Sequence, residues 1–387
     1  MSFPIKTFRS FERVYRHVDV EAVLSTDAYQ RLPFAARILA ENLVRHGADL
    51  RLMDPSVPVG TCELPLVFPR VIMPDSSGVP MLMDLAALRS ALHRRGRSVK
   101  DVRAQVPIAL VVDHSLQVDV SGQVDAAAQN LAKEYVRNEE RYRFLKWAQQ
   151  AFPGLDIFPP GSGIIHQVHL EQVARVICEE RDLIYPDMVV GGDSHTPMVN
   201  ALGIVGWGVG GLEAEMVALG EPYPLPNPEF VGVELKGALR PGITVTDLAL
   251  TLTRRLRDEG VIGAFVEFYG EAVASLSVPD RATLANMAPE YGATTGFWPI
   301  DERTLDYLRL TGRDEKHIAL VRDHAVSAGL FRNADAPVPV YSRVITLDLA
   351  TIERSFSGPS KPHNLLDLSH LRRAFEEKVG VSAQGGE

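Results

Sequence analysis

Several short segments of this sequence place acids, imidazoles and amides where proton-transfer chemistry could use them. Asp113-His114 sets a carboxylate beside an imidazole directly after an apolar run. Such a pair can shuttle a proton at a strand end, although a loop acid next to a surface histidine is spelled the same way. His166 closes the segment Gly161-Ser162-Gly163-Ile164-Ile165-His166, and His169 follows one turn later. An HxxH pair can hold a metal, but no third ligand lies nearby in the sequence, so His169 is expected on a helix surface. Asp193-Ser194-His195 has the residue types of a hydrolytic triad. Adjacent side chains diverge, however, whereas a triad converges from separate segments, which removes the hydrolase reading. Asn286 and Glu290 stand four residues apart on one face of an expected helix. They are either a half-buried polar pair directed at a histidine or two polar residues on a solvated face.

Elements must bring these groups together, and the pattern of the chain says which. Strand-like apolar runs alternate with helix-period segments, the signature of layered α/β architecture. Strands are expected over 106–112, 183–190, 230–235, 264–269 and 340–347, and helices over 130–150, 167–181, 246–259 and 279–291. Polar clusters follow the first two of these strands, and in open α/β sheets ligands bind at the carboxyl ends of strands. Gly206-Trp207-Gly208-Val209-Gly210-Gly211 fits G-x-G-x-x-G. The segment 197–203 before it is a poor strand, so close backbone packing is expected there in place of a dinucleotide site. Four prolines between positions 221 and 228 read as an interdomain linker. The resulting division is 1–221, 229–335 and 336–387.

Composition limits the function classes. The chain has 387 residues, 46% hydrophobic and 23% charged, which suits a globular protein of two or three domains. No run of about 20 apolar residues exists to span a membrane, and the first fifteen residues mix charge with isolated apolar positions, unlike a secretory signal. A cytoplasmic location is expected. The net charge of −9 disfavours nucleic acid as a partner. Cys62 and Cys178 are the two cysteines and match no zinc or disulfide spacing. An iron-sulfur cluster of the usual kind needs three or four thiolates, more than the chain holds.

Taken in order, Leu110-Val111-Val112-Asp113-His114-Ser115, Pro159 through Gln167, Gly192-Asp193-Ser194-His195-Thr196 and Asn286 through Thr294 resemble the aconitase superfamily. The nearest branch is that of bacterial aconitase A and cytosolic aconitase/iron-regulatory protein, and the resemblance runs over residues 3–379. It implies three-layer α/β/α domains and an enzyme that isomerises hydroxy-polycarboxylic acids by removing and re-adding water around a [4Fe-4S] cluster. On this resemblance, Asp113 and His114 match the pair that handles the leaving hydroxyl. His166 matches a histidine partnered by the acid at Glu290, and Asp193 with His195 matches a third acid/imidazole set. Asn286 matches an active-site asparagine, and Ser194 a substrate contact.

Departures from the family pattern shape the expected function. Proline occupies position 74, before Asp75, where the family carries a substrate-binding glutamine. The family's cluster cysteines, carboxylate-clamping arginines and proton-accepting serine belong beyond the region matching Ser357-Gly358-Pro359, past Glu387. No cluster ligands are therefore expected from this chain, which leaves open a mononuclear metal on the histidines. The first expectation is a cluster-free lyase or isomerase that works by acid/base transfer on a small hydroxy- or unsaturated carboxylic acid, without ordinary aconitate hydratase activity. One alternative is a subunit of a split iron-sulfur hydro-lyase whose partner brings the missing domains. Another is a non-catalytic binding protein of aconitase descent. A homo-oligomer or partner chain is expected over the face the missing domains would cover.

Overall fold

Short apolar runs closed by glycine, proline or charge become parallel strands buried on both faces, as such strands require. The computed structural model describes residues 3–54, 56–112, 117–163, 165, 169–333, 337–358 and 361–379, so Asp113, His114 and His166 lie outside the described residues. The first unit is a five-stranded parallel sheet in the order Val205–Gly208, Met188–Gly191, Arg70–Pro74, Ile108–Val111, Leu155–Phe158. Arg70–Pro74 and Met188–Gly191 are buried along their whole length. Their carboxyl ends lie on one edge of the sheet, and from that edge the chain leaves toward Asp75 and Asp193. The second unit is a four-stranded parallel sheet ordered Thr295–Phe297, Phe265–Tyr269, Phe230–Lys236, Arg343–Asp348. Helices and parallel sheets together make the chain α/β, as its periodicity indicates. A third, mixed sheet orders Ile5–Ser10, Arg13–Val18, Leu183–Pro186 and Ile177–Glu180.

Several elements differ from the sequence expectation for identifiable reasons. The apolar run 183–190 is two strands in two sheets, divided at Asp187. That carboxylate is fully buried and accepts from Arg70 Nε at 2.8 Å and Nη2 at 2.5 Å. The helix expected over 167–181 shrinks to Leu170–Val173, and Ile177–Glu180 turns back on Leu183–Pro186 through Arg181 at φ 61°. The helix expected over 130–150 is two, Ala126–Arg137 and Glu139–Ala151, joined at Asn138. The proline-rich stretch is no linker: Tyr223–Pro226 pairs antiparallel with Glu63–Leu66. Proline is tolerated there because a two-stranded ribbon consists of edges. Arg343–Asp348 pairs with Phe230–Lys236, so a boundary at 336 would cut through the second sheet's unit.

Buried polar groups join the units. Asn200 lies in the 3-10 segment Thr196–Leu202 with no exposed surface, and its Nδ2 donates to Ile204 O at 2.8 Å and Gly206 O at 3.0 Å. Its Oδ1 accepts from Gly296 N at 3.2 Å, and its backbone carbonyl accepts from Trp298 N at 3.1 Å, both in the second unit. Glu267 of the second sheet accepts the Phe34 and Ala35 amides at 3.1 and 2.9 Å, and the Tyr341 hydroxyl at 2.8 Å. It thereby caps the helix Phe34–Arg45.

The N-terminal sheet packs on the helix Glu315–Ser327, where His324 is buried beside Phe8 and His17. Burial first, and then the neighbouring His17, lower its pKa from 6.5 to about 3. In acid the unfolded chain takes up a proton that the native ring refuses, so this group removes stability as pH falls from about 6.5 toward about 3, by ~1.4 kcal/mol per pH unit. Urea midpoints from pH 7.5 to pH 5.0 should therefore fall less steeply in His324→Leu than in the wild type. Equal slopes would show that His324 takes up its proton in the native state.

Candidate active site

At the carboxyl end of Met188–Gly191 the chain folds back on itself. The carboxylate of Asp193 accepts from the His195 backbone amide at 2.8 Å, and Thr196 Oγ1 donates to the Asp193 carbonyl at 2.8 Å. This short-range closure is what Asp, Thr and Ser do at turns and helix entries, and it sends the His195 ring outward from the sheet edge. There His195 Nδ1 lies 2.9 Å from Asn286 Oδ1. Asn286 ends the helix Val278–Asn286 of the second unit, so the pair is built from both halves. An amide oxygen accepts, so the ring nitrogen facing it is the one that carries the hydrogen.

The helix bearing Asn286 is held from below. Arg281, with no exposed surface, donates to both carboxylate oxygens of Asp301 at 2.9 and 2.7 Å and to Val273 O at 3.1 Å. The single helix expected over 279–291 is interrupted at Met287, and Ala288–Tyr291 forms a separate turn. Pro289 explains the break, since a proline ring clashes with the carbonyl four residues before it. Asn286 and Glu290 therefore do not share the face of one regular helix. Arg257 Nη1 takes the Glu290 backbone carbonyl at 2.9 Å, which leaves the side chain to point elsewhere. Its Oε2 is buried and has no hydrogen-bond partner. An unmatched buried acceptor costs about 1–3 kcal/mol and asks for a donor.

A cleft of about 590 Å³ opens where the units meet, lined among others by Asp193, Ser194, Trp207, Pro289 and Thr294. Ser194 is exposed at its edge. The glycines of the 206–211 motif pack closely, as expected: a Cβ on Gly208 would sit 2.6 Å from Asp193 O. As expected, the segment before the motif is no strand but the 3-10 segment Thr196–Leu202, and a strand, Val205–Gly208, overlaps the motif itself. Contrary to expectation, His169 is not on a helix surface. It is 2% exposed, its ring meets Phe158 edge-on at 4.9 Å, and a Cβ on Gly163 would fall 1.9 Å from its Nδ1.

One pair at this edge escaped sequence reasoning. Asp75 follows the central strand Arg70–Pro74, and its carboxylate accepts from Arg141 Nη1 at 2.8 Å. The same rule that singled out the acids after other strands, a carboxylate directly behind an apolar run, would have found Asp75. No local signal connects it to Arg141, 66 residues away.

Residues 49–384 match the Aconitase family (aconitate hydratase). The chain belongs to the aconitase family. It is 47% identical over 361 residues to aconitate hydratase A of Deinococcus radiodurans, an alignment covering 90% of this chain and 40% of that protein. The corresponding protein of Thermus thermophilus is 45% identical over 386 residues, with 96% and 43% covered. That of Bacillus subtilis is 44% identical over 397 aligned positions, with 99% and 44% covered. The chain thus spans about two fifths of the length of these relatives.

The resemblance to aconitases implies an iron-sulfur centre, and the thiols of this sequence do not fit one. Cys178 is buried, and its Sγ lies 3.6 Å from Asp187 Oδ1; desolvation, with that carboxylate alongside, raises its pKa. Cys62 points its thiol at Leu52 O, 3.4 Å away. Neither residue lines the cleft. Among the described residues no three His, Cys, Asp or Glu side chains group as metal ligands.

The amide contact is open to direct measurement. Nitrogen-15 spectra of the imidazoles should show His195 protonated at Nδ1, a preference that Asn286→Asp retains and Asn286→Leu loses. An unchanged tautomer in Asn286→Leu would mean that Asn286 does not orient the ring.

Proposed function

We propose that these residues form the acid/base half of an aconitase-type hydro-lyase or isomerase site acting on a small hydroxy- or unsaturated polycarboxylic acid. The observation that carries the reading is the 2.9 Å contact of His195 with Asn286, one residue from each unit, at the edge where the strands of the first sheet end. Structural stability gives no reason to hold an imidazole of one unit against an amide of the other at the sheet edge. A proton-transfer site does.

The reaction needs two proton movements. In dehydration a base takes a carbon-bound proton, the freed electron pair forms the C=C bond, and the C–O bond breaks as the hydroxyl takes a proton from an acid and leaves as water. Hydration reverses each step. With Nδ1–H held by Asn286, His195 gives or takes its proton at Nε2. Glu290 brings a desolvated carboxylate oxygen suited to hold an imidazole or a substrate hydroxyl. Asp113, His114, His166 and Asp193 complete the acid/base set, and Ser194 and Asn286 orient the substrate.

The thiols of this sequence do not fit an iron-sulfur centre, and the proton transfers above use its imidazoles and carboxylates. For these residues by themselves the substrates proposed are those with an activated α-proton or a conjugated acid, which proton transfer serves unaided. No helix among the described residues is long and apolar enough to cross a membrane, which is compatible with a cytoplasmic enzyme.

A panel of hydroxy- and unsaturated polycarboxylates that includes aconitate, run alongside metal analysis of the purified chain, tests this reading. Turnover should fall by about 100-fold or more in His195→Ala, His114→Ala and His166→Ala, and Glu290→Gln should also reduce it, with circular dichroism unchanged. Full activity in all four variants would dismiss the assignment.

A further inference from the structure

We propose that Tyr223 binds the substrate in the cleft between the units, donating its phenolic hydrogen to a substrate carboxylate oxygen. The inference rests on the hydro-lyase reading and adds a contact that the matched motifs leave unassigned. Tyr223 lines the cleft of about 590 Å³ together with Asp193 and Ser194, two members of the proposed site. That volume lies within the ~300–1,000 Å³ usual for small-molecule sites. A ligand filling this cleft touches all three.

Backbone and ring are both held in place. Tyr223 opens the strand Tyr223–Pro226 and pairs with Leu66, which has no exposed surface. Pro222 and Pro224 flank it. A proline locks its own φ and confines the residue before it to extended backbone, which is the conformation the ribbon needs. The ring stands edge-on to Trp207 at 5.7 Å and to Phe68 at 6.0 Å, and both of those side chains are sealed in the core. Edge-to-face packing on two immobile rings sets the direction of the phenol.

The hydroxyl is the part that this packing does not require. Tyr29 donates to Ala328 O at 2.6 Å and Tyr341 to Glu267 Oε1 at 2.8 Å, as buried phenols do. Tyr223 is half-buried, and its hydroxyl bonds to no described residue yet is not sealed from solvent. Solvent satisfies such a hydroxyl, and a phenylalanine would make the same ring contacts. A substrate entering the cleft displaces that solvent. Its carboxylate takes over the phenolic hydrogen, and a bond to a charged acceptor is the stronger kind.

Tricarballylate, a tricarboxylate with no hydroxyl to lose, serves as the probe, with binding measured by calorimetry on the whole chain and thermal midpoints followed in parallel. The wild type should bind it. Tyr223→Phe keeps the ring and removes the hydroxyl, so it should weaken binding by about tenfold or more with its midpoint unchanged. Tyr223→Leu, which removes the ring as well, should bind no better than Tyr223→Phe and should lower the midpoint. Equal binding by the wild type and Tyr223→Phe would overturn the proposal while leaving the hydro-lyase reading intact. A midpoint lowered in Tyr223→Phe as far as in Tyr223→Leu would show that the hydroxyl serves the fold, and would overturn it too. No binding to the wild type would remove both.

Discussion

The carboxamide of Asn200 is the constraint on which this molecule's candidate site depends. It has no exposed surface, donates twice within the first unit and accepts from the backbone of the second. An amide in such a place must have all these partners, because each one left unmet costs about 1–3 kcal/mol. Satisfying them sets how the 3-10 segment Thr196–Leu202 lies against Thr295–Phe297. His195 stands at the start of that segment, and the helix ending in Asn286 packs on it. The distance between an imidazole of one unit and an amide of the other is thus decided five residues away from His195, in a group that does no chemistry.

Charge is handled differently in the interior and at the edge. Arg70 with Asp187 and Arg281 with Asp301 are closed pairs in which both carboxylate oxygens are matched. Burying such pairs yields little net stability, since desolvation offsets most of the attraction, but leaving one partner alone is costly. They specify arrangement: Asp187 marks where the chain passes from one sheet to another, and Asp301 is also the cap of the helix Glu302–Leu310. At the carboxyl edge the balance changes. Asp193 takes the His195 backbone amide, and Glu290 retains a buried oxygen without a partner. A buried carboxylate oxygen left without a donor is uncommon in folded proteins.

Membership of the aconitase family and this distribution of polar groups support each other from independent directions. The relatives establish descent over nearly the whole chain, while spanning more than twice its length. Physical accounting adds what descent leaves out, namely which groups the fold has already used and which it holds in reserve. By that accounting the thiols are spent on interior contacts, and at the carboxyl edge the unmatched acceptor is the Glu290 carboxylate.

What the sequence determined by itself was local. The alternation of apolar runs with helix-period segments gave parallel α/β architecture, and acids and histidines placed directly after apolar runs marked the carboxyl edge. The Thr244 cap bonded to Asp247 starts the helix Val245–Glu259 where the pattern begins. Tertiary structure decided the rest. The run 183–190 is apolar but for Asp187, and it serves two sheets because that carboxylate must meet Arg70, 117 residues away. Four prolines read as a linker until Glu63–Leu66 supplies a pairing edge. His169 looks solvated until Gly163 and Phe158 close around it. Asn286, Glu290 and His195 were all visible as residue types, but a 2.9 Å contact between positions 91 residues apart has no trace in spacing. Periodicity reports which face of an element is apolar; which element covers that face, and which charge answers a buried charge, depends on chain segments that meet only in the folded state.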